Sequence, residues 1–237
     1  KTRKTSIKVR IVKGANLAME KVEASLHDWP QAPYSDKADV DANFKRMLHH
    51  ACHPENTAAV RIGVASHNLF DIAYALLLRS RHGVEDRVEL EMLEGMSNDQ
   101  ARVLEERDSP VLFYSPIVRG KDFHSAIAYL VRRLDENTSP ENFLPHVFSM
   151  TPGDPEWQEQ EERFREACQR IDCAASKPNR QQNRALPPQP AGSDFRNSPD
   201  TDWVLPANRQ WLAREIQNFQ PDSPPPCPEL KEVLQIA

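Results

Sequence analysis

Arginine in pairs, and histidine next to asparagine, are the residue types in this chain best equipped for chemistry. The run Tyr129 to Asn137 (YLVRRLDEN) carries Arg132 and Arg133, whose guanidinium forks can each donate two parallel hydrogen bonds to a carboxylate. Adjacent side chains on a helix diverge by about 100°, so both reach one ligand only if the helix end faces it. Tyr129, Arg133 and Glu136 share one face at i, i+4 and i+7, which makes a polar cluster there credible. Arg132 and Glu136 also have the spacing of a solvated ion pair, the bland alternative. In Val9 to Glu20 (VRIVKGANLAME), Arg10 occupies an alternating strand position. Gly14 follows, where the chain must turn with its N–H groups free to approach a ligand. Ala65 to Asn68 (ASHN) sets His67 and Asn68 just past a strand end, and Leu93 to Met96 (LEGM) closes another. His49 and His53 lie at i, i+4 beside Cys52, but no carboxylate or second cysteine completes a metal set, and none is expected. Pro54 marks a helix end there, where the dipole favours histidine.

The elements that must hold these segments alternate. Ile7 to Val12 puts Ile7, Val9 and Ile11 on one face and Lys8, Arg10 and Val12 on the other. Helices are predicted over Ala15 to Leu26, with Ala18, Val22 and Leu26 in a stripe, and over Lys37 to Cys52. Strands follow at Ile62 to Ser66, Val88 to Leu93 and Val111 to Ser115. Between them lie an apolar helix through Ile72 and Leu76 and a shorter one over Asn98 to Glu106. A last helix runs from Asp122 to about Asn137. Strand–helix alternation implies a parallel sheet with right-handed crossovers. Central strands covered on both faces read as continuous apolar runs. Here one face repeatedly carries polar groups (Lys8, Arg10, Glu89, Glu91, Tyr114), as in a barrel wall whose inside meets a ligand. A full eight-stranded barrel takes about 250 residues. The expected fold is therefore α/β: half of a (βα)8 TIM-like barrel with four parallel strands, plus an extended Pro-rich C-terminal arm with short helices.

Proline marks the change of regime. Of 20 prolines, 15 lie beyond residue 138, so the later segments read as stiff connections. The expected divisions are 1–150 for the half-barrel, 151–194 for a charged helix (QEQEERFREACQR) and linker, and 195–237 for a further segment. A net charge of -5 argues against a nucleic-acid surface. No apolar run reaches the roughly 18 residues of a membrane helix, and no signal sequence is visible at the start. Four cysteines without a C-x-x-C pair suit a reducing compartment, hence a cytoplasmic expectation.

Taken in order, V-R-I-V-K-G-A, S-H-N, L-E-G-M, a tyrosine-bearing strand and Y-L-V-R-R-L-D-E-N resemble the proline dehydrogenase family. The likeness spans about residues 5 to 145 and is specifically to the flavoprotein barrel of the bifunctional proline utilisation enzymes. Phe195 to Trp211 (FRNSPDTDWVLPANRQW) resembles the lead-in to their aldehyde dehydrogenase domain. The resemblance implies FAD as cofactor, L-proline as substrate and a membrane quinone as electron acceptor. NAD would belong only to the aldehyde dehydrogenase domain, and attachment at the inner face of the membrane stays open.

It also implies roles. Arg10 would sit beside flavin N5 and stabilise electron density there. Val12, Lys13, Gly14, Ala15, Ser66, His67, Asn68 and Glu136 would hold FAD. Arg132 and Arg133 would clamp the proline carboxylate, with Tyr114, Leu93 and Tyr129 around the ring. Asn16 and Leu17 stand where the family has aromatics, and Glu91 where it has glutamine, so Glu91 needs a partner such as Lys8 or Arg10. The N-terminal barrel half and the aldehyde dehydrogenase domain would be the missing partners, and this piece alone is expected to turn over little. The alternative is a non-catalytic remnant that serves subunit association.

Overall fold

Alternation of Ile7, Val9 and Ile11 with charged neighbours sets the first strand. In the computed structural model β1 spans Ile7–Val12, followed by β2 (Val60–Ala65), β3 (Val88–Leu93) and β4 (Val111–Tyr114). The structure describes residues 5–14, 16–107, 109–138, 142–147, 149–187 and 197–219, without the side chains of 135–137. Ala15, the Glu136 side chain, Phe195 and the PPPCPELKEVLQIA ending therefore lie outside the described residues.

The four strands pair in the order β1-β2-β3-β4, all parallel. The helices are α1 (Leu17–His27), α2 (Lys37–Ala51), α3 (Pro54–Thr57), α4 (Leu69–His82), α5 (Asn98–Glu105), α6 (Phe123–Thr138), α7 (Pro155–Gln169) and α8 (Pro206–Asn218). This is the expected run of strand–helix units of half a barrel. The outward strand residues Ile11, Ile62, Val64, Val88, Leu90 and Met92 are buried against the helices, with Phe44, Leu48, Ile72 and Leu78. Burying such side chains contributes roughly 1.5–3 kcal/mol each.

Local signals place the helix ends. Asp36 caps α2 by accepting from Ala38 N–H at 3.0 Å, and Gly83 ends α4 with φ 63°, a left-handed conformation that glycine adopts freely. The α1 stripe departs from expectation: Val22 and Leu26 are 59% and 77% exposed, and the buried residue is Ala24.

The chain divides into two compact units: Lys1–Val22 with Gln31–Lys177, and Glu23–Pro30 with Pro178–Ala237. Within the first, α7 packs on α2 and α4, so the charged helix expected in a separate 151–194 stretch belongs to the sheet-bearing unit. Its apolar face explains why: Trp157 and Phe164 lie 4.9 and 5.7 Å from Phe70, while Arg163–Glu159 and Arg165–Glu161 pair at i, i+4 on its charged side. In the second unit, Trp29 stacks on His27 and donates to the Asp200 carbonyl at 2.7 Å. There too the buried Asn208 donates to Gln182 and to the Asp202 carbonyl, each at 2.9 Å.

Candidate active site

Register decides which side chains share the inner face of the sheet. Arg10 pairs with Gly63 and Gly63 with Glu89, while Val12, Ala65, Glu91 and Leu112 form the next row. Glu91, 2% exposed, receives Lys8 Nζ at 2.5 Å and also pairs with Arg10 Nε. Lys8 reaches Glu89 as well, at 2.6 Å, and these carboxylates hold its pKa above the ordinary value against the lowering effect of burial. Gly63 makes the crossing possible. A methyl group there would collide with the Glu91 carboxylate and come within 3.0 Å of Lys8 Cε. The Arg10 guanidinium lies 4.0 Å from the centre of the Tyr114 ring. Arg10 is thus an inward cation, as expected, but its charge is already matched by Glu91, so it is no free positive charge.

A cavity of about 1400 Å³ opens over the C-terminal ends of the strands. Arg10, Val12, Lys13, Gly14, Ser66, His67, Asn68, Leu93, Tyr114, Tyr129 and Arg133 all line it. Arg132 does not, as the divergence of neighbours on a helix requires. Tyr129 and Arg133, one turn apart on α6, approach at 5.4 Å from guanidinium carbon to ring centre. Gly14 shows no left-handed φ, so the turn itself does not demand glycine; a side chain would instead project into open space at the cavity wall. Asn16 and Leu17 also line the cavity.

The SHN segment divides its labour. Asn68 is the N-cap of α4: its Oδ1 accepts from Phe70 and Asp71 N–H at 2.9 and 3.3 Å. Asn68→Ala is expected to lower stability by about 1 kcal/mol, read as a shift in the urea midpoint, with Asn68→Ser close to wild type. His67 Nε2 accepts from Leu93 N–H at 3.1 Å, which leaves the proton on Nδ1. That Nδ1–H is buried and has no partner among the described residues. Burial also lowers the His67 pKa, keeping the ring neutral and the donor available. A buried donor left unused in a cavity wall is free to meet an acceptor on a bound molecule. His49 turns instead to the Tyr74 hydroxyl, and His53 faces His82 at 6.0 Å between ring centres.

Sequence reasoning missed a buried ion network beside Lys13. Lys13 bonds Asp41 at 2.6 Å and Asp71 at 2.5 Å, Lys45 bonds Asp71 at 3.0 Å, and Lys37 bonds Asp41 at 2.6 Å. Only the i, i+4 spacing of Lys37 and Asp41 could have signalled it. Lys45 hides in the apolar face of α2 beside Phe44 and Leu48, a position that reads as core.

The sequence profile of the family described as proline dehydrogenase matches residues 1–146. No match was found among curated protein sequences. The structure of proline utilization A from Corynebacterium freiburgense superposes with a TM-score of 0.71 at 37% identity, covering 93% of this chain and 20% of that one. Proline utilization A from Bdellovibrio bacteriovorus, inactivated by N-propargylglycine, gives a TM-score of 0.69 at 27% identity, covering 91% and 20%. The chain therefore spans about one fifth of the length of these two proteins. Among the described residues no helix is long and apolar enough to cross a membrane.

Proposed function

This chain belongs to the proline dehydrogenase family, and we propose that it carries the C-terminal half of an FAD-dependent site that oxidises L-proline to Δ1-pyrroline-5-carboxylate. The observation that carries this reading is the convergence of Arg10, Tyr114, Tyr129 and Arg133 on one cavity at the strand ends. Bound FAD would supply the hydride acceptor at flavin N5, with a membrane quinone taking the electrons onward.

The chain's own residues bind and aim. The Arg133 fork suits the substrate carboxylate, and Tyr129, four residues earlier, steadies its guanidinium face. Aiming the ring is worth more than holding it, because transfer demands near-contact geometry. Leu93 and Tyr114 give the ring an apolar wall, and Tyr114 is held in turn by Arg10. Arg10, neutralised by Glu91, acts here as an oriented donor rather than as an isolated charge. His67 Nδ1–H is the donor assigned to FAD, and Gly14 leaves the space for its approach. Asn16 and Leu17 are smaller than the aromatics of the family pattern, so this stretch covers the substrate less completely.

In the same reading, 195–237 leads into an aldehyde dehydrogenase domain, which would take the NAD. Catalysis by these residues alone would be weak: β1 and β4 are both sheet edges, and Ile7 and Val9 on β1 are 52% and 44% exposed. Purified chain, scanned for flavin absorbance and assayed for dye reduction with L-proline, tests this. Sub-stoichiometric flavin, raised to saturation by added FAD, with slow proline-dependent reduction is the expected result. No flavin bound at any concentration would overturn the assignment.

A further inference from the structure

Three rows of the inner face carry a ladder of alternating charge. Arg61 lies 3.8 Å from Glu89, Lys8 bonds Glu89 at 2.6 Å and Glu91 at 2.5 Å, and Glu91 ends the series on Arg10. Each Glu91 oxygen has its own cation, Oε1 for Lys8 and Oε2 for Arg10. Among the described residues, Glu91 is the one acid paired with Arg10. The members of the ladder differ in what they face. Lys8, Arg61 and Glu89 are not part of the cavity lining, whereas Glu91 and Arg10 are. Within that last pair the acid is the hidden partner, with a side chain 2% exposed against 34% for Arg10. A buried carboxylate adds little to stability, because a well-packed apolar side chain does as well or better in the same space. Here β2 also gives up a side chain at Gly63 to make room for it. Stability alone does not account for an acid at this position.

We propose that Glu91 is a positioning residue for the redox reaction: it aims the Arg10 guanidinium and sets how much of its positive charge a bound flavin ring meets. Reduction adds electron density to that ring, so the strength of the neighbouring cation governs how readily the ring accepts it. Glu91 tempers the cation, and Lys8 tempers Glu91 in turn by drawing on its second oxygen. The two partners therefore act on the flavin with opposite sign, which a purely structural ion ladder would not do. The role rests on the flavin reading; the ladder does not.

Sulfite titration of the FAD-saturated full chain tests this in wild type, Glu91→Gln and Lys8→Met, with the midpoint potential measured by dye equilibration alongside. Sulfite bonds through sulfur to flavin N5 and leaves the ring with one more negative charge, so its affinity, read from the bleached flavin absorbance, reports the local field without turnover. Glu91→Gln is expected to tighten sulfite about tenfold, the order of one unit charge removed near the ring at a protein-like dielectric, and to raise the potential. Lys8→Met leaves Glu91 to Arg10 alone and should weaken sulfite and lower the potential. FAD affinity should change far less than sulfite affinity in both. If Glu91→Gln does not retain flavin, the Lys8→Met result decides. Sulfite affinity and potential unchanged in the variants that hold FAD, or shifted the same way in both, overturn the proposal and leave the flavin reading standing. No FAD binding in any of the three proteins overturns the flavin reading and this role with it.

Discussion

Asp71→Ala should lower the stability of the sheet-bearing unit by about 3–5 kcal/mol, read as a large fall in the urea midpoint. The carboxylate is 1% exposed in the first turn of α4 and holds two ammonium groups, Lys45 at 3.0 Å and Lys13 at 2.5 Å. Lys13 keeps Asp41 after the change, at 2.6 Å. Among the described residues Lys45 keeps no carboxylate, and at 1% exposure it cannot reach water. The cost is that of an unpaired buried charge, large against a typical total stability of about 5–15 kcal/mol. The compensating variant separates this from loss of packing. Lys45→Met with Asp71→Leu removes both charges and should recover most of the urea midpoint, since well-packed apolar replacements of buried pairs are often neutral or better. If the double variant is no more stable than Asp71→Ala alone, the destabilisation comes from shape rather than from the stranded ammonium.

Local patterns were legible wherever they repeat over a few residues. β1 and β3 fall on the expected residues because apolar–polar alternation runs through the first five residues of IKVRIV and VELEML. Glu91 stands in the sequence as an inward acid that needs a partner such as Lys8 or Arg10, and it takes both, because the register and Gly63 bring them over the same strand. Pairing between distant segments was not legible. Lys45 and Asp71 sit on different helices, 26 residues apart, and neither local pattern points to the other. The α1 stripe failed for the opposite reason: period alone cannot say whether anything lies opposite the apolar face, and Val22 and Leu26 remain exposed. The helix at Pro206–Asn218 was hidden within a motif read as a whole, although Pro206 at its first turn is a recognised start signal.

The adjacent arginines of α6 should prove unequal. Arg133→Lys is expected to weaken L-proline binding to the FAD-saturated chain at least tenfold, whereas Arg132→Lys should change it far less. Both arginines belong to the carboxylate clamp that the family resemblance implies, but neighbours on a helix point about 100° apart, and only Arg133 lines the cavity. Lysine preserves the charge and loses the planar fork, so the measured loss isolates paired hydrogen bonding from simple attraction. A charge-assisted hydrogen bond contributes about 1.5–3 kcal/mol, and 1.4 kcal/mol corresponds to a factor of ten. Arg132 lies outside the cavity lining, so shortening that side chain gives up no contact there. The dissociation constant from calorimetry is the readout because it does not depend on turnover. Equal losses for the two variants, or a larger loss for Arg132→Lys, would mean that the carboxylate is not held on the Tyr129 face of α6, and the substrate orientation proposed above would have to be abandoned.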